Sequence, residues 1–301
     1  MIESWIPITF AAAFLQNLRS ALQKHLKGQL STAGATFSRF LFAAPLAVIY
    51  VFVVAALEDS AVPAPSGFFL GVAAIGGVAQ IMATALLVYI FSFRNFAVGT
   101  AFSKTETVQT ALFGIVLLGD PLSLAAAIGI LVSLVGVLAL AIGPGKLTPA
   151  LLATAWRDKA ALLGIASGAC FGIAAISYRA ASLSLEQESA ALAAGTTLAW
   201  VTAMQTLAML IYLRWREPGQ ITAVVTSWRV SGLVGASGMA ASACWFTAMT
   251  LQNAAYVRAL GQVELVFTVL SSKFMFREKT TAREAFGVAA IVAGIVILLL
   301  G

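Results

Sequence analysis

The chain has 301 residues, of which 60% are hydrophobic and 10% charged, and its mean hydropathy is +0.96. Ordinary soluble domains carry about 25% charged residues, so this composition excludes a soluble globule and a disordered chain. The net charge of +6 and a pI near 9.6 suggest nucleic acid at first sight. However, the charges lie in short clusters between apolar runs, which is the pattern of membrane topology.

In chain order, ten apolar segments are predicted as spans by the rule of about 20 residues per crossing. They cover 5–26, 32–57, 67–92, 96–119, 122–142, 159–181, 188–213, 229–250, 255–276 and 283–300. Turn and charge signals separate them: Glu58-Asp59 with Pro63 and Pro65, Gly119-Asp120-Pro121, Gly143-Pro144-Gly145 and Glu217-Pro218-Gly219. The first segment carries Glu3 and no basic residue at its start, and no small-residue cleavage site follows. It therefore reads as a retained helix rather than a secretion signal.

Cys170 and Cys244 sit in apolar runs and read as small core residues, and His25 is the only histidine. These counts leave no histidine-based triad or multi-histidine metal site. No phosphate-cradling glycine loop is present either. The expectation is a protein that is not an enzyme and holds no cofactor.

Lys and Arg set the orientation. With the N-terminus on one side, the opposite loops hold Lys24, Lys27, Arg94, Lys146, Arg157, Lys159, Arg214, Arg216, Lys279 and Arg283. Arg229, Lys273 and Arg277 adjoin those loops. The N-terminal side holds Glu58, Asp59, Asp120, Glu186 and Glu188. This bias makes the basic side cytoplasmic and puts both termini outside a cytoplasmic (inner) membrane.

The halves of the chain repeat. Residues 95–106 (NFAVGTAFSKTE) align without gaps on 253–264 (NAAYVRALGQVE), a shift of 158, from Glu106 to Glu264. The same shift pairs Ala85 with Ala243, Asp120 with Glu278, Gly129 with Gly287 and Gly136 with Gly294. Five spans per half is an odd number, so the halves, 1–145 and 146–301, take opposite orientations. Inverted repeats are a signature of secondary transporters.

The two five-helix halves and the turns Leu117-Leu118-Gly119-Asp120-Pro121-Leu122-Ser123 and Met275-Phe276-Arg277-Glu278-Lys279-Thr280-Thr281 carry a resemblance. Each turn precedes a helix with paired glycines. The chain resembles the drug/metabolite transporter superfamily, ten-helix EamA type. Asp120 departs from the glutamate usual at that turn. The resemblance implies an all-α polytopic membrane protein with ten transmembrane helices in two inverted five-helix repeats. It also implies a central cavity lined by helices 1, 3, 4, 6, 8 and 9, and transport of small metabolites such as amino acids.

Ionisable residues inside spans face a cavity or a partner. Glu106 lies roughly 13 Å and Arg19 roughly 10 Å from the basic side, at ~1.5 Å rise per residue. Arg39 lies at a similar depth, so Arg39 and Glu106 are a candidate pair, either structural or gating. Gln109 shares a face with Glu106 at i+3. Lys104 does not, so it points elsewhere. Glu264, Gln262 and Arg258 occupy the second half, and Arg179 is the rough counterpart of Arg19. Tyr178 and Tyr256 read as membrane-interface tyrosines. Trp245 is deep enough to need a hydrogen-bond partner. Gln16 in polar helix 1 and Gln80 in helix 3 suit a lumen.

Five embedded cations (Arg19, Arg39, Lys104, Arg179 and Arg258) oppose Glu106 and Glu264. Such an excess suits a carboxylate or phosphate substrate. The reading is alternating-access export of an amino acid or related carboxylate, with Glu106 and Glu264 available for proton coupling. Exchange of phosphorylated or nucleotide-linked solutes remains an alternative, as does a non-transporting receptor or assembly factor. The expected partners are a small-molecule substrate and membrane lipid, not nucleic acid, with the chain a monomer or homodimer. The glycines of Gly164, Gly168 and Gly172 read as helix packing.

Overall fold

The structure is a computed structural model, and it describes residues 3–26, 28–90, 93, 96–141, 158–267, 269 and 281–301. Several residues named above lie outside these: Lys27, Arg94, Asn95, the 143–145 break, Lys146, Arg157, Lys273, Met275, Phe276, Arg277, Glu278, Lys279 and Thr280. The side chains of Lys24 and His25 lie outside them too.

All regular elements among the described residues are helical. They are α1 (Trp5–Leu26), α2 (Thr32–Leu57), α3 (Gly67–Ile90), α4 (Phe96–Ser103), α5 (Glu106–Phe113), α6 (Leu124–Ala141), α7 (Lys159–Leu183), α8 (Ala190–Arg216), α9 (Pro218–Thr226), α10 (Trp228–Leu251), α11 (Ala254–Leu260) and α12 (Ala282–Leu300). Six of them, α2, α3, α7, α8, α10 and α12, are long and apolar enough to cross a membrane, and α6 contributes a shorter apolar helix. Large apolar side chains such as Phe52, Leu57, Ile75 and Leu131 stand exposed on them. In water that would be an aggregation liability; in lipid it is the expected outer surface.

The bounds follow local signals. Ser31 and Ser189 cap α2 and α8 through their hydroxyls, and Thr281 forms a capping box with Glu284 at α12. Gly119 ends the fourth segment in the left-handed region at φ 66°, which only glycine adopts without strain.

Two segments differ from the continuous spans expected. Segment 96–119 breaks at Lys104-Thr105 into α4 and α5, and ends in a π-helical turn over Gly114–Leu118. Segment 255–276 breaks at Gly261-Gln262, after which 263–267 is helical and 268, 270–276 lie outside the described residues. At both breaks the backbone tightens into three-residue bonds: Thr105 N–H to Phe102 O at 3.2 Å, and Gln262 N–H to Ala259 O at 3.1 Å. Hydropathy reads composition, not hydrogen bonding, so it cannot see such breaks. The short helix α9 also lay hidden in a polar connection. α1 is long enough to span, but Gln16, Asn17, Arg19, Ser20, Gln23 and Lys24 make it too polar to stand with the six.

The chain forms two compact units. The first comprises 1–81 with 177–252, the second 82–176 with 253–301, so each draws on both halves of the sequence. In the first unit α1 packs on α10, α2 on α8, and α10 on both α2 and α8. Its core joins Leu26, Phe37, Phe40, Met209, Leu213 and Val234. In the second unit α6 packs on α12, and α11 packs on α5.

The α6–α12 crossing rests on the paired glycines. A Cβ on Gly129 would stand 2.5 Å from Gly294 O, and one on Gly136 would stand 2.6 Å from Gly287 O. The early glycine of each helix meets the late glycine of the other, which is an antiparallel crossing with backbones in contact. Gly168 and Gly172 of α7 likewise lie against Ser103 O and Thr110 N, so α7 passes directly over the α4–α5 break.

Candidate functional site

In the second unit the helix breaks gather charge. Glu106 opens α5, where a carboxylate suits the positive end of the helix dipole, and Arg258 ends α11, where a cation suits the negative end. Their side chains meet: Arg258 Nη1 lies 3.2 Å from Glu106 Oε1, with both side chains largely buried. Lys104, inside the first break, donates to Glu264, just beyond the second. Gln262, at the position corresponding to Lys104, donates to Thr107 Oγ1 at 2.8 Å. The two breaks are thus cross-linked by two ion pairs and a hydrogen bond. Gln109 donates to Thr105 Oγ1 at 2.9 Å, and its side-chain oxygen is buried without a partner among the described residues, as is that of Gln262.

The sequence offered Arg39 as the partner of Glu106. The partner seen in the structure is Arg258, because the breaks bring the end of α11 to the start of α5. Depth along a helix does not say which helix is adjacent.

The first unit holds a second polar group. Tyr178 is buried and stacks on Phe246 with ring centroids 4.4 Å apart. Its hydroxyl donates to Gly76 O at 2.9 Å and lies 3.1 Å from Gln80 Oε1. Gln205 Nε2 donates to Gln80 Oε1 at 2.8 Å and to Gly77 O at 3.1 Å. Arg39, Gln80, Thr202, Gln205 and Ser242 line one small cavity, with Arg39 Nη2 3.5 Å from Ser242 Oγ. Arg19 and Arg39 both press their methylene stems on Gly238. Trp245 donates to Gln16 Oε1 at 3.0 Å, which supplies the partner its burial requires.

Arg179 has a different setting. Its guanidinium donates to Met249 O at 2.6 Å and Gln252 O at 2.9 Å, so it satisfies orphan carbonyls at the end of α10. Tyr178 is no interface tyrosine, since it is 1% exposed. Tyr256 meets Ser123 Oγ at 3.3 Å, and Asn253 donates to Pro121 O at 3.2 Å, which fastens the Gly119-Asp120-Pro121 turn to the start of α11. Sequence reasoning missed Thr107, Gln205 and Ser242, and it placed Tyr178 at the interface. Gln205 alone carried a signal, as a lone amide in an apolar run.

Among the described residues, no group of three or more His, Cys, Asp or Glu could hold a metal ion. Cys170 and Cys244 are free thiols.

Six helices long and apolar enough to span, with large apolar side chains on their outer faces, define a multi-pass membrane protein. Residues 158–300 match the EamA-like transporter family, which bears out the resemblance to the drug/metabolite transporter superfamily. A solved crystal structure has a similar fold, with a TM-score of 0.71 at 16% identity over 99% of this chain and 96% of that one. It is one of 28 solved chains that match. No curated protein matches.

Proposed function

We propose that the protein is a ten-helix secondary transporter of two inverted repeats, 1–145 and 146–301, which exports an amino acid or related carboxylate by alternating access. The observation that carries this reading is the cross-linking of two helix breaks by Lys104–Glu264 and Arg258–Glu106. Discontinuous helices with charge at their ends are how transporters bring binding chemistry to membrane depth. Glu106 and Glu264 are the carboxylates on which a coupling proton acts. Lys104 and Arg258 balance Glu264 and Glu106, and Arg19 and Arg39 of the first unit, embedded cations beyond those pairs, favour an anionic group on the substrate. The basic loops face the cytoplasm and both termini lie outside. The chain works as a monomer or homodimer.

Counterflow in liposomes of the full chain, with radiolabelled amino acids, tests the reading. Uptake is expected in the unaltered protein, and Glu106→Gln and Glu264→Gln are expected to change its rate and pH dependence. Full activity with unchanged pH dependence in both variants removes the carboxylates from the mechanism. Movement of organic cations alone overturns the substrate class.

A further inference from the structure

The α2–α8 pair of the first unit is fastened at both ends by the same device. At one end Ser31, the N-cap of α2, accepts from Gly34 N–H at 3.1 Å and donates to Glu217, the C-cap of α8. At the other end Ser189, the N-cap of α8, accepts from Leu192 N–H at 3.1 Å and donates to Glu58 Oε1 at 2.8 Å. Glu58 is the C-cap of α2. Ser31 and Ser189 differ by 158 positions, the shift that relates Glu106 to Glu264. The device therefore follows the internal repeat.

A glutamate at a helix C-terminus is electrostatically misplaced with respect to its own helix. Both glutamates gain from standing beside the N-terminus of the neighbouring antiparallel helix. Glu217 also precedes α9 but makes no side-chain cap to it. With 26 residues in α2, the two fastenings stand about 39 Å apart at ~1.5 Å rise per residue. That is the thickness of a bilayer with its headgroup zones.

We propose that Ser31–Glu217 and Ser189–Glu58 are the two gate latches of the transport cycle, one at each membrane face, which release alternately. This rests on the transporter reading above. Each latch is one charge-assisted hydrogen bond at the water boundary, strong enough to bias an equilibrium and weak enough to break in turnover. They are not equal. The Ser31 end has a second tie, Ser31 N–H to Gln220 Oε1 at 2.9 Å, whereas the Ser189–Glu58 bond is exposed. The Ser189–Glu58 end therefore opens more readily.

The test uses the full chain in liposomes, with Cys170 and Cys244 replaced by alanine. One variant carries Ser31→Cys with Glu217→Cys, the other Ser189→Cys with Glu58→Cys, and each is oxidised to a disulfide. Counterflow of a radiolabelled amino-acid mixture is expected to fall about tenfold or more in either locked form and to recover on reduction. A second readout needs no substrate: labelling of Gln80→Cys by a membrane-impermeant maleimide. Each lock is expected to slow labelling from its own face about tenfold and spare the opposite face. Locked protein that carries flux within about twofold of its reduced form, or labels equally from both faces, overturns the latches. If the protein with both latches intact carries no flux while labelling of the locked forms follows the lock, the latches stand and the amino-acid reading falls.

Discussion

Arg258 Nη1 stands 3.2 Å from Glu106 Oε1, joining the last turn of α11 to the first turn of α5 across 152 positions of sequence. The side chains are 10% and 13% exposed, so each gains strongly from the opposite charge of the other. Removing one partner of a buried pair leaves the other stranded and costs about 3–5 kcal/mol, whereas replacing both with apolar groups can be neutral. Glu106→Leu and Arg258→Leu are each expected to lower the unfolding midpoint in detergent. The double replacement Glu106→Leu with Arg258→Leu is expected to recover much of the loss. Additive losses in this thermodynamic cycle would show that the pair is not coupled.

The glycines separate by sign. Gly129→Ala and Gly136→Ala push a methyl into the backbone of α12 and are each expected to cost about 1–3 kcal/mol. Gly232→Ala, in α10 with nothing within 4 Å of its added Cβ, is expected to stabilise by about 0.4–1 kcal/mol. Thermal unfolding of the three variants side by side checks the contrast. Equal shifts in one direction would refute the packing account.

Arg179 is expected to behave as a cap rather than a substrate ligand. Arg179→Ala strands the carbonyls of Met249 and Gln252, at a cost of about 1–3 kcal/mol. Arg179→Lys keeps the charge but loses the planar fork and should fall between. The discriminating measurement is concentration dependence of flux: KM stays put if Arg179 only caps α10, and rises if it binds substrate.

Tyr178→Phe removes the hydroxyl that joins Gly76 and Gln80, while the ring keeps its stack on Phe246. Gln80 Oε1 keeps Gln205 as a donor and Gly76 O keeps its place in the helix ladder, so the loss is one buried hydrogen bond, about 0.5–1.5 kcal/mol. The variant is expected to lose that much stability. It is also expected to exchange backbone amides faster in the middle of α3, near Gly76 and Gly77. Unchanged exchange there would mean the hydroxyl does not organise the group.

Much of the helical layout was legible without structure. Segment 32–57 coincides with α2, and 67–92, 159–181 and 229–250 lie within a few residues of α3, α7 and α10. Apolar length and turn residues determine a membrane helix locally, because the chain must satisfy its own backbone in lipid. The likeness of 95–106 to 253–264, the paired glycines and the embedded ionisable residues were visible for the same reason: identity and spacing are properties of the chain. Gln16, Gln80, Lys104, Gln109, Gln262 and Trp245 could be named as unusual in an apolar setting, though not given partners.

Pairing belonged to the tertiary structure. Glu106 could be placed at a depth, yet only the fold puts Arg258 beside it and sends Lys104 to Glu264. The breaks at Lys104-Thr105 and Gly261-Gln262 escaped a hydropathy reading, since a helix and a broken helix have the same composition. Tyr178 passed for an interface residue until the packing of α3, α7 and α10 buried it. Sequence alone determined that this chain is apolar, helical and sparsely charged within its apolar segments, because those follow from local residue chemistry and length. Which charges meet, which helix ends are tied and which glycines touch was decided by contacts between segments far apart in the chain, and their geometry exists only once the helices have packed.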